Sequence, residues 1–241
     1  MTNDFQSHSI LSVEHIVKRY GGKLAVNKVS LHVNEGETVL LLGQNGAGKT
    51  TTIKSILNLE RFDEGKVLVN GNSINTKESK QIIGYVPEVP VPYDNLTVWQ
   101  HVQFIMRAYS LKNHVSKAIE LLKEFDLDRD HNTLGKNLSK GMKQKLSICC
   151  ALLPNPKLII FDEPFVGLDQ LAITNLKKKI KSLKNLGCGI LIITHMIEMV
   201  EAMWDRAYIM DKGSIISEQN IKTFGDSSGL SGFYFDLVSY S

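Results

Sequence analysis

The sequence predicts an α/β fold built on a buried parallel sheet, and three short apolar runs are the main reason. The runs are TVLLLG, KLIIFDEP and GILIITH. Because a parallel sheet is covered on both faces, its strands read as continuous apolar stretches rather than as alternating ones. Helix-like segments separate the runs, among them residues 49–59 and 171–186, and this alternation is typical of an α/β sheet.

Length and composition favour one substantial domain. The 241 residues are 43% hydrophobic, which is enough for one large core or for a core with a small appended subdomain. The net charge of +3 is too small to argue for nucleic acid, and we expect no such partner. The three cysteines lie among apolar residues without a CxxC pair, which predicts buried thiols. With neither a signal peptide nor a membrane-spanning run in the sequence, we expect a cytosolic chain that reaches a membrane only through another protein.

The N-terminal third and the middle of the chain have different patterns. ILSVEHIVKRY and LAVNKVSLHV alternate like strands, and NEGE predicts a turn. Between residues 95 and 153 apolar residues recur at helical spacing in VWQHVQFIMRAYSL, VSKAIELLKEF and GMKQKLSICCALL. No convincing strand occurs there, so the pattern predicts a helical insertion within the sheet domain.

Each of the three apolar runs ends in polar residues. The first continues into GQNGAGKT (Gly43 to Thr50), the second ends in Asp162 and Glu163, and the third ends in His195. In open α/β sheets, ligands bind beyond the carboxyl ends of the strands. We therefore expect these groups to meet in one site.

GQNGAGKT fits the phosphate-binding pattern G-x-x-x-x-G-K-[ST]. Its glycines let successive backbone N–H groups face a phosphate, Lys49 brings charge to the β- and γ-phosphates, and the Thr50 hydroxyl can ligate Mg²⁺. A position between a buried strand and a helix makes an ordinary glycine turn a poor alternative. The residues predicted to contact the nucleotide here are Gly43, Gln44, Asn45, Gly46, Ala47, Gly48, Lys49, Thr50 and Thr51.

The other two strand ends supply candidates for metal binding and catalysis. Asp162 fits the carboxylate that holds Mg²⁺, directly or through water, and Glu163 could take the proton of an attacking water. The alternative is that both merely begin the turn at Pro164. His195 alone would usually be structural, but at a strand end in this setting a γ-phosphate contact is the favoured interpretation. The predicted catalytic residues are therefore Lys49, Glu163 and His195.

In this order the motifs resemble the nucleotide-binding subunits of ABC transporters, from Tyr20 to about Ser217. GQNGAGKT is similar to the Walker A loop, LIIFDE to Walker B, GLD to the D-loop that ends in Asp169, and His195 to the switch histidine. Tyr20 falls where the family stacks an aromatic ring on adenine. The resemblance implies ATP and Mg²⁺ as cofactors, ATP hydrolysis as the reaction, and nucleotide contacts by Tyr20 and Asp169.

LSKGMKQK resembles the family's Leu-Ser-Gly-Gly-Gln signature. In the family two domains dimerise head to tail, and the Walker A loop of one and the signature of the other enclose one ATP. The resemblance implies that Ser139, the Gly141 backbone and a helix N-terminus hold a nucleotide bound to a second subunit, with a homodimer expected. Lys140 and Met142 depart from the signature; Lys140 either adds charge near the phosphates or points to solvent.

Glu88 in GYVPEVP stands where many members have the Q-loop glutamine. A glutamate can still ligate Mg²⁺ by an oxygen, so the predicted metal ligands are Thr50, Glu88 and Asp162. The departures in the signature and the glutamate at position 88 both resemble the ABC-2-type exporter branch. The segments YVPEVPVPYDNLTVWQHV, SKGMKQK and DEPFVGLDQLAI are most similar to the Ecs-type ATPases of Gram-positive bacteria.

The resemblance also implies an architecture, that of a P-loop NTPase. One domain would combine a RecA-like parallel core, an N-terminal antiparallel β subdomain and an inserted α-helical subdomain. The core would occupy 1–94 and 154–218, the helical subdomain 95–153, and a C-terminal extension 219–241.

The expected function is to power transport, with a lean to export, through a separate multi-spanning permease at the cytoplasmic face of the membrane. The surface near Glu88 and VPVPYDNL would contact that permease, with Tyr93 as a docking residue or a plain loop aromatic. A non-transport ABC ATPase acting on ribosomes, DNA or cluster assembly is the alternative. Against it, the chain has one such domain, and only about 110 residues without sustained heptads separate Lys49 from Asp162. A GTPase lacks support because no Asn-Lys-x-Asp motif occurs.

Overall fold

Two β-sheets form the framework of the protein in the computed structural model, which describes residues 9–224 and 229–239. The strands are β1 Ser9–Tyr20, β2 Lys23–Asn34, β3 Thr38–Leu42, β4 Glu64–Val69, β5 Asn72–Ser73, β6 Ile83–Val86, β7 Leu158–Asp162, β8 Gly189–Ile193, β9 Arg206–Asp211 and β10 Ser214–Asn220. The helices are α1 Lys49–Ile56, α2 Lys77–Gln81, α3 Val98–Ala108, α4 Val115–Glu124, α5 Lys140–Leu152, α6 Gln170–Asn185, α7 Ile197–Val200, α8 Ile221–Phe224 and α9 Leu230–Ser239.

The larger sheet has the strand order β10-β9-β3-β8-β7-β6. Strands β9, β3, β8, β7 and β6 run parallel, and β10 joins β9 in antiparallel pairing. The smaller sheet, ordered β2-β1-β4-β5, is antiparallel throughout. The expectation of an α/β fold with a parallel core and an N-terminal antiparallel sheet is confirmed.

Apart from Thr38 at the start of β3 and Asp162 at the end of β7, strands β3, β7 and β8 are apolar, because each face of the larger sheet meets a different core. Leu40, Phe161 and Ile192 point into the core shared with the helices. Leu41 and Ile160, their neighbours in sequence, belong to the core shared with the antiparallel sheet. Side chains alternate between the two faces of a strand, so a sheet covered on both faces needs apolar residues at every position.

The segment from 95 to 153, predicted to be helical, contains α3, α4 and α5, plus a short 3-10 helix at Gly135–Asn137. Thr97 begins α3 with a capping box: its hydroxyl accepts from the Gln100 amide, and the Gln100 side chain accepts from the Thr97 amide. Phe125 is buried where α4 ends, in the core shared with the sheet. The division of the chain into a core, a helical subdomain and an extension stays a prediction.

The sequence pattern predicted no strand for five of the described segments that form one, namely β4, β5, β6, β9 and β10. The segment IGYV gave no strand signal, yet it forms β6 at one edge of the larger sheet. The C-terminal extension includes α9, whose Leu230 and Tyr234 are buried, while residues 225–228, 240 and 241 lie outside the described part of the chain. Among the described residues, no helix is both long and apolar enough to cross a membrane.

Candidate functional site

The three strand ends meet at one cavity of about 610 Å³, as the topology of the sheet requires. Strands β3, β8 and β7 are consecutive neighbours, so the residues that follow them lie side by side. Among the residues predicted to act here, those that line the cavity are Tyr20, Asn45, Gly46, Lys49, Thr50, Thr51, Glu88, Asp162, Glu163, His195 and Gly48. Gly43, Gln44 and Ala47 belong to the same loop without lining the cavity.

The loop between β3 and α1 has the conformation expected of a phosphate cradle. Gly48 caps α1 with a φ of 103°, and a Cβ there would lie 2.6 Å from the Ala25 carbonyl oxygen. Only glycine fits both the left-handed backbone and this close approach. Lys49 is buried, and its Nζ donates to the carbonyl oxygens of Gly43 (2.7 Å) and Gln44 (3.1 Å). The loop thus holds the ammonium group at the cavity wall.

The charges around Asp162 suit a bound cation. Burial raises the pKa of Asp162 to about 6, and the nearby carboxylates of Glu88 and Glu163 add to the rise, while Lys49 opposes it. Burial also lowers the pKa of Lys49, whereas the nearby carboxylates of Glu163, Asp162 and Glu88 act to raise it. A cation between such groups would relieve the cost of ionising them.

The protein alone offers only part of a metal site. In the described ranges no group of three or more His, Cys, Asp or Glu side chains has a metal-binding arrangement. Mg²⁺ is commonly held by one or two carboxylates together with substrate phosphates and water. Thr50, Asp162 and the exposed Glu88 all line the cavity, which fits that incomplete set of ligands.

The Glu163 carboxylate is held by the chain that follows β8. Its Oε1 accepts from the His195 amide at 3.0 Å and lies 2.7 Å from the His195 ring Nδ1. Its Oε2 accepts from the Thr194 hydroxyl at 2.9 Å. Glu163 itself has a φ of 47°, and its amide donates to the Ile193 carbonyl. A glutamate in the left-handed region is uncommon and is found where surrounding structure enforces it.

Tyr20 lies at the outer rim of the cavity with its ring 46% exposed. Its hydroxyl bonds to the Glu60 carboxylate, and the Lys18 ammonium lies 5.0 Å from the ring centroid. Tyr20 lines the cavity and is partly exposed, which is compatible with the predicted stacking on adenine.

Ser139, Gly141 and Asp169 do not line this cavity. Ser139 caps α5, where its hydroxyl accepts from the Met142 amide at 3.2 Å. Asp169 caps α6 by accepting from the Ala172 amide at 2.8 Å. These three residues therefore present a second surface, separate from the cavity lined by the phosphate loop.

The start of α5 packs directly against the turn that leads to α6. A Cβ on Gly141 would lie 2.6 Å from the Gly167 carbonyl oxygen, so the two backbones approach closely. The Lys140 side-chain carbons lie about 3.4–3.5 Å from the position of a Cβ on Gly167. The aliphatic stem of Lys140 thus runs along Gly167, and the role of its ammonium group stays a prediction.

Two further contacts join α5 to the same turn. Lys145 Nζ lies 2.7 Å from Asp169 Oδ2, and the hydrogen bond from Lys145 is the main reason that the pKa of Asp169 is lowered. The Gln144 amide donates to the Pro164 carbonyl oxygen at 3.4 Å. Sequence reasoning missed both residues, although their spacing of three and four from Gly141 places them on the same face of α5 as Gly141. Thr194 was also missed, although a hydroxyl that follows an apolar strand is a signal.

Comparison with known proteins identifies the family. Residues 26–166 match the family described as ABC transporter. The chain is 37% identical to the lipopolysaccharide export system ATP-binding protein LptB of Haemophilus influenzae, over 87% of this chain and 90% of that protein. It is 34% identical to the ABC-type transporter ATP-binding protein EcsA of Bacillus subtilis, over 92% of each. A solved structure described as the ATP binding subunit of an ABC transporter is 35% identical, with a TM-score of 0.89 over 95% of this chain and 99% of that one. The resemblance drawn from the motifs is confirmed, whereas the roles of individual site residues stay predictions.

The raised pKa of Asp162 predicts that Asp162→Asn stabilises the nucleotide-free protein. The folded state binds the proton more tightly than the unfolded chain, so ionisation costs stability as pH rises from about 4 to about 6. At pH 7.5, without Mg²⁺ or nucleotide, we expect a gain on the order of 1–2 kcal/mol, which allows for solvent in the open cavity. Urea unfolding should show this gain shrinking toward pH 4.

A matched control is Glu120→Gln, which removes an exposed carboxylate of α4. It should change the free energy of unfolding little at either pH. If Asp162→Asn were no more stable than wild type at pH 7.5, the electrostatic account of this site would be wrong.

Proposed function

The chain belongs to the ATP-binding family of ABC transporters, and on that premise we propose that two copies bind Mg-ATP head to tail and power export through a separate membrane subunit. As a family member the chain is an ATPase that uses ATP and Mg²⁺. One observation carries the proposal: Lys49, Asp162, Glu163 and His195 line one cavity, whereas Ser139 and its neighbours face elsewhere.

Within one copy, the cavity residues divide the chemical tasks. The loop amides and Lys49 bind the β- and γ-phosphates, and Tyr20 stacks on adenine. Thr50 and Asp162, with Glu88 as a further oxygen donor, would hold Mg²⁺. When bound, this ion neutralises phosphate charge.

Glu163 takes the proton from the attacking water as the general base. His195 lines the same cavity as Glu163, and its half-exposed ring would contact the γ-phosphate. This assignment gives the two acidic neighbours different tasks, with Asp162 at the ion and Glu163 at the water.

The surface at the start of α5 serves the ATP of the other copy. The first amides of α5 have no helical acceptor, and the helix dipole favours an anion there. Ser139 caps the helix by accepting, so its own hydroxyl proton is available to a phosphate oxygen. Because Ser139, Gly141 and Asp169 do not line the cavity of their own chain, a head-to-tail pair gives them a nucleotide to contact.

A groove beside Glu88 suits a membrane subunit. The exposed side chains Val91, Tyr93 and Phe104 line this apolar groove, with Val91 87% exposed. His101 makes the groove rigid: its Nε2 accepts from the Tyr93 amide at 2.9 Å, and its ring stacks on Tyr93. Such a contiguous apolar patch on the chain marks an interaction site. Docking there would hold the protein at the cytoplasmic face of the membrane.

The direction of transport rests on relatives. LptB is described as part of an export system, and the motifs of this chain resemble the ABC-2-type exporter branch. We propose export on that basis.

Glu163→Gln tests the catalytic assignment. The substitution keeps the shape of the side chain but cannot take up a proton usefully, so turnover should fall about 10²–10⁴-fold. Removing a negative charge beside the γ-phosphate should also stabilise an ATP-bound dimer that size-exclusion chromatography detects. Asp162→Asn is the comparison: it weakens the Mg²⁺ site and should give no trapped dimer. Wild-type turnover in Glu163→Gln would refute the assignment.

Ser139→Arg tests the head-to-tail arrangement. Each copy binds its own ATP through Tyr20 and the phosphate loop, so the affinity of the monomer for ATP should stay nearly unchanged. A bulky cation at the start of α5 should block dimer closure and abolish turnover. Equilibrium binding and sedimentation would measure the two properties separately. A collapse of monomer affinity with dimerisation intact would contradict the arrangement.

Val91→Asp tests the membrane partner. A charge at this exposed position should leave folding and ATP binding intact but disrupt the apolar groove, so co-purification with the membrane subunit should be lost. Leu186→Asp is a matched control, because Leu186 is 81% exposed at the end of α6 and does not line the groove. Equal recovery of the complex for wild type and Val91→Asp would count against this docking surface.

A further inference from the structure

Thr194 follows the apolar strand β8 and has a polar group where none is needed for packing. It is fully buried, and the preceding residues Ile190–Ile193 are all buried and apolar. A hydroxyl at such a position costs free energy unless it is hydrogen-bonded. Here it has two partners, the Glu163 carboxylate and the Met196 amide.

The two partners fix the direction of the Thr194 hydroxyl proton. The Met196 amide can only donate, and it lies 3.0 Å from Thr194 Oγ1. An ionised carboxylate can only accept, so the single hydroxyl proton must point to Glu163 Oε2, 2.9 Å away. The hydroxyl is therefore oriented before any substrate binds.

The other Glu163 oxygen is fixed as firmly. Oε1 faces both the His195 amide and the His195 ring nitrogen, at 3.0 and 2.7 Å. A carboxylate has about four lone-pair positions, and these three donors occupy three of them. The position left over is on Oε2, the atom that Thr194 holds.

We infer that Thr194 is a positioning residue, which aims Oε2 of Glu163 so that this oxygen accepts the proton of the attacking water. The inference rests on the proposed role of Glu163 as general base and specifies the atom and its support. Glu163 lines the nucleotide cavity and Thr194 does not, so Thr194 acts through Glu163 alone.

The backbone of Glu163 explains why the carboxylate needs this support. Its φ of 47° and the hydrogen bond from its amide to the Ile193 carbonyl oxygen direct the side chain toward the end of β8. The side chain then has no bond to its own strand, and Thr194 and His195 supply all of its hydrogen bonds in the described structure. Without the Thr194 hydroxyl, Oε2 would lose the one hydrogen bond that the described structure gives it, and the carboxylate would be held at Oε1 alone.

The test compares three substitutions: Thr194→Val, Thr194→Ser and Thr194→Ala. Valine keeps the shape and loses the hydroxyl, serine keeps the hydroxyl and loses a methyl group, and alanine loses both. Misplacing a catalytic group costs up to about 10²-fold in rate, so we expect kcat to fall about 10- to 100-fold in the valine and alanine variants. Serine should stay within about threefold of wild type. If the valine variant does not fold, the serine and alanine pair carries the same comparison.

Two readouts separate positioning from a general structural defect. KM for ATP and the affinity for a non-hydrolysable ATP analogue should be unchanged in Thr194→Val, because Thr194 does not line the nucleotide cavity and its hydroxyl bonds to Glu163 and the Met196 amide. The ATP-bound dimer should persist longer than in wild type, since turnover is slower. In a Glu163→Gln background, adding Thr194→Val should slow turnover no further.

The possible outcomes distinguish this inference from the proposed function. Wild-type kcat in Thr194→Val with turnover lost in Glu163→Gln would overturn the inference and leave the general base in place. Wild-type kcat in both would overturn the general base itself. Equal loss in the serine, alanine and valine variants, or a weaker affinity for the analogue, would show that Thr194 acts through packing and would also overturn the inference.

Discussion

The burial of the larger sheet on both faces is the constraint on which the rest of the structure depends. The middle residues of strands β3, β7 and β8 are all apolar, because helices cover one face and the antiparallel sheet covers the other. A polar side chain in the middle of these strands would have no partner. Chemistry is therefore confined to the residues just beyond the carboxyl ends, and the parallel pairing of adjacent strands collects those ends in one place.

At the carboxyl ends of these strands, the fold holds several charged side chains in a partly buried position that opposes their ionisation. Lys49, Asp162, Glu163 and Glu88 share one cavity, and the pKa shifts of Asp162 and Lys49 both oppose the charged forms. The burial of the apolar strands on either side offsets the free-energy cost of holding these charges together. The site suits a ligand that brings both anionic phosphates and a cation, because each then meets the opposite charge.

Much of the fold and the cavity could be predicted because local patterns encode them. The phosphate loop is a continuous segment, and Asp162, Glu163 and His195 each follow a recognisable strand. The orientation of Lys140 could not be predicted, because it depends on Gly167, which lies 27 residues away along the chain. Thr194 has meaning only through its contact with Glu163, 31 residues earlier. The short strand β6 was missed because the four residues IGYV are too few to show a strand pattern. Its backbone hydrogen bonds to β7 stabilise it as a strand.

The contacts between α5 and the turn before α6 connect the cavity that contains Glu163 with the surface around Ser139. That turn begins at Glu163, in the cavity, and ends at Asp169, which is paired with Lys145 of α5. The close approach of Gly141 to Gly167 and the bond from Gln144 to Pro164 add contacts along the same face. Ser139, at the start of α5, cannot shift relative to this turn without breaking several of them. A nucleotide held at Ser139 would therefore act on the same packed unit that contains the Glu163 backbone. This packing gives the surface around Ser139 a direct physical connection to the cavity.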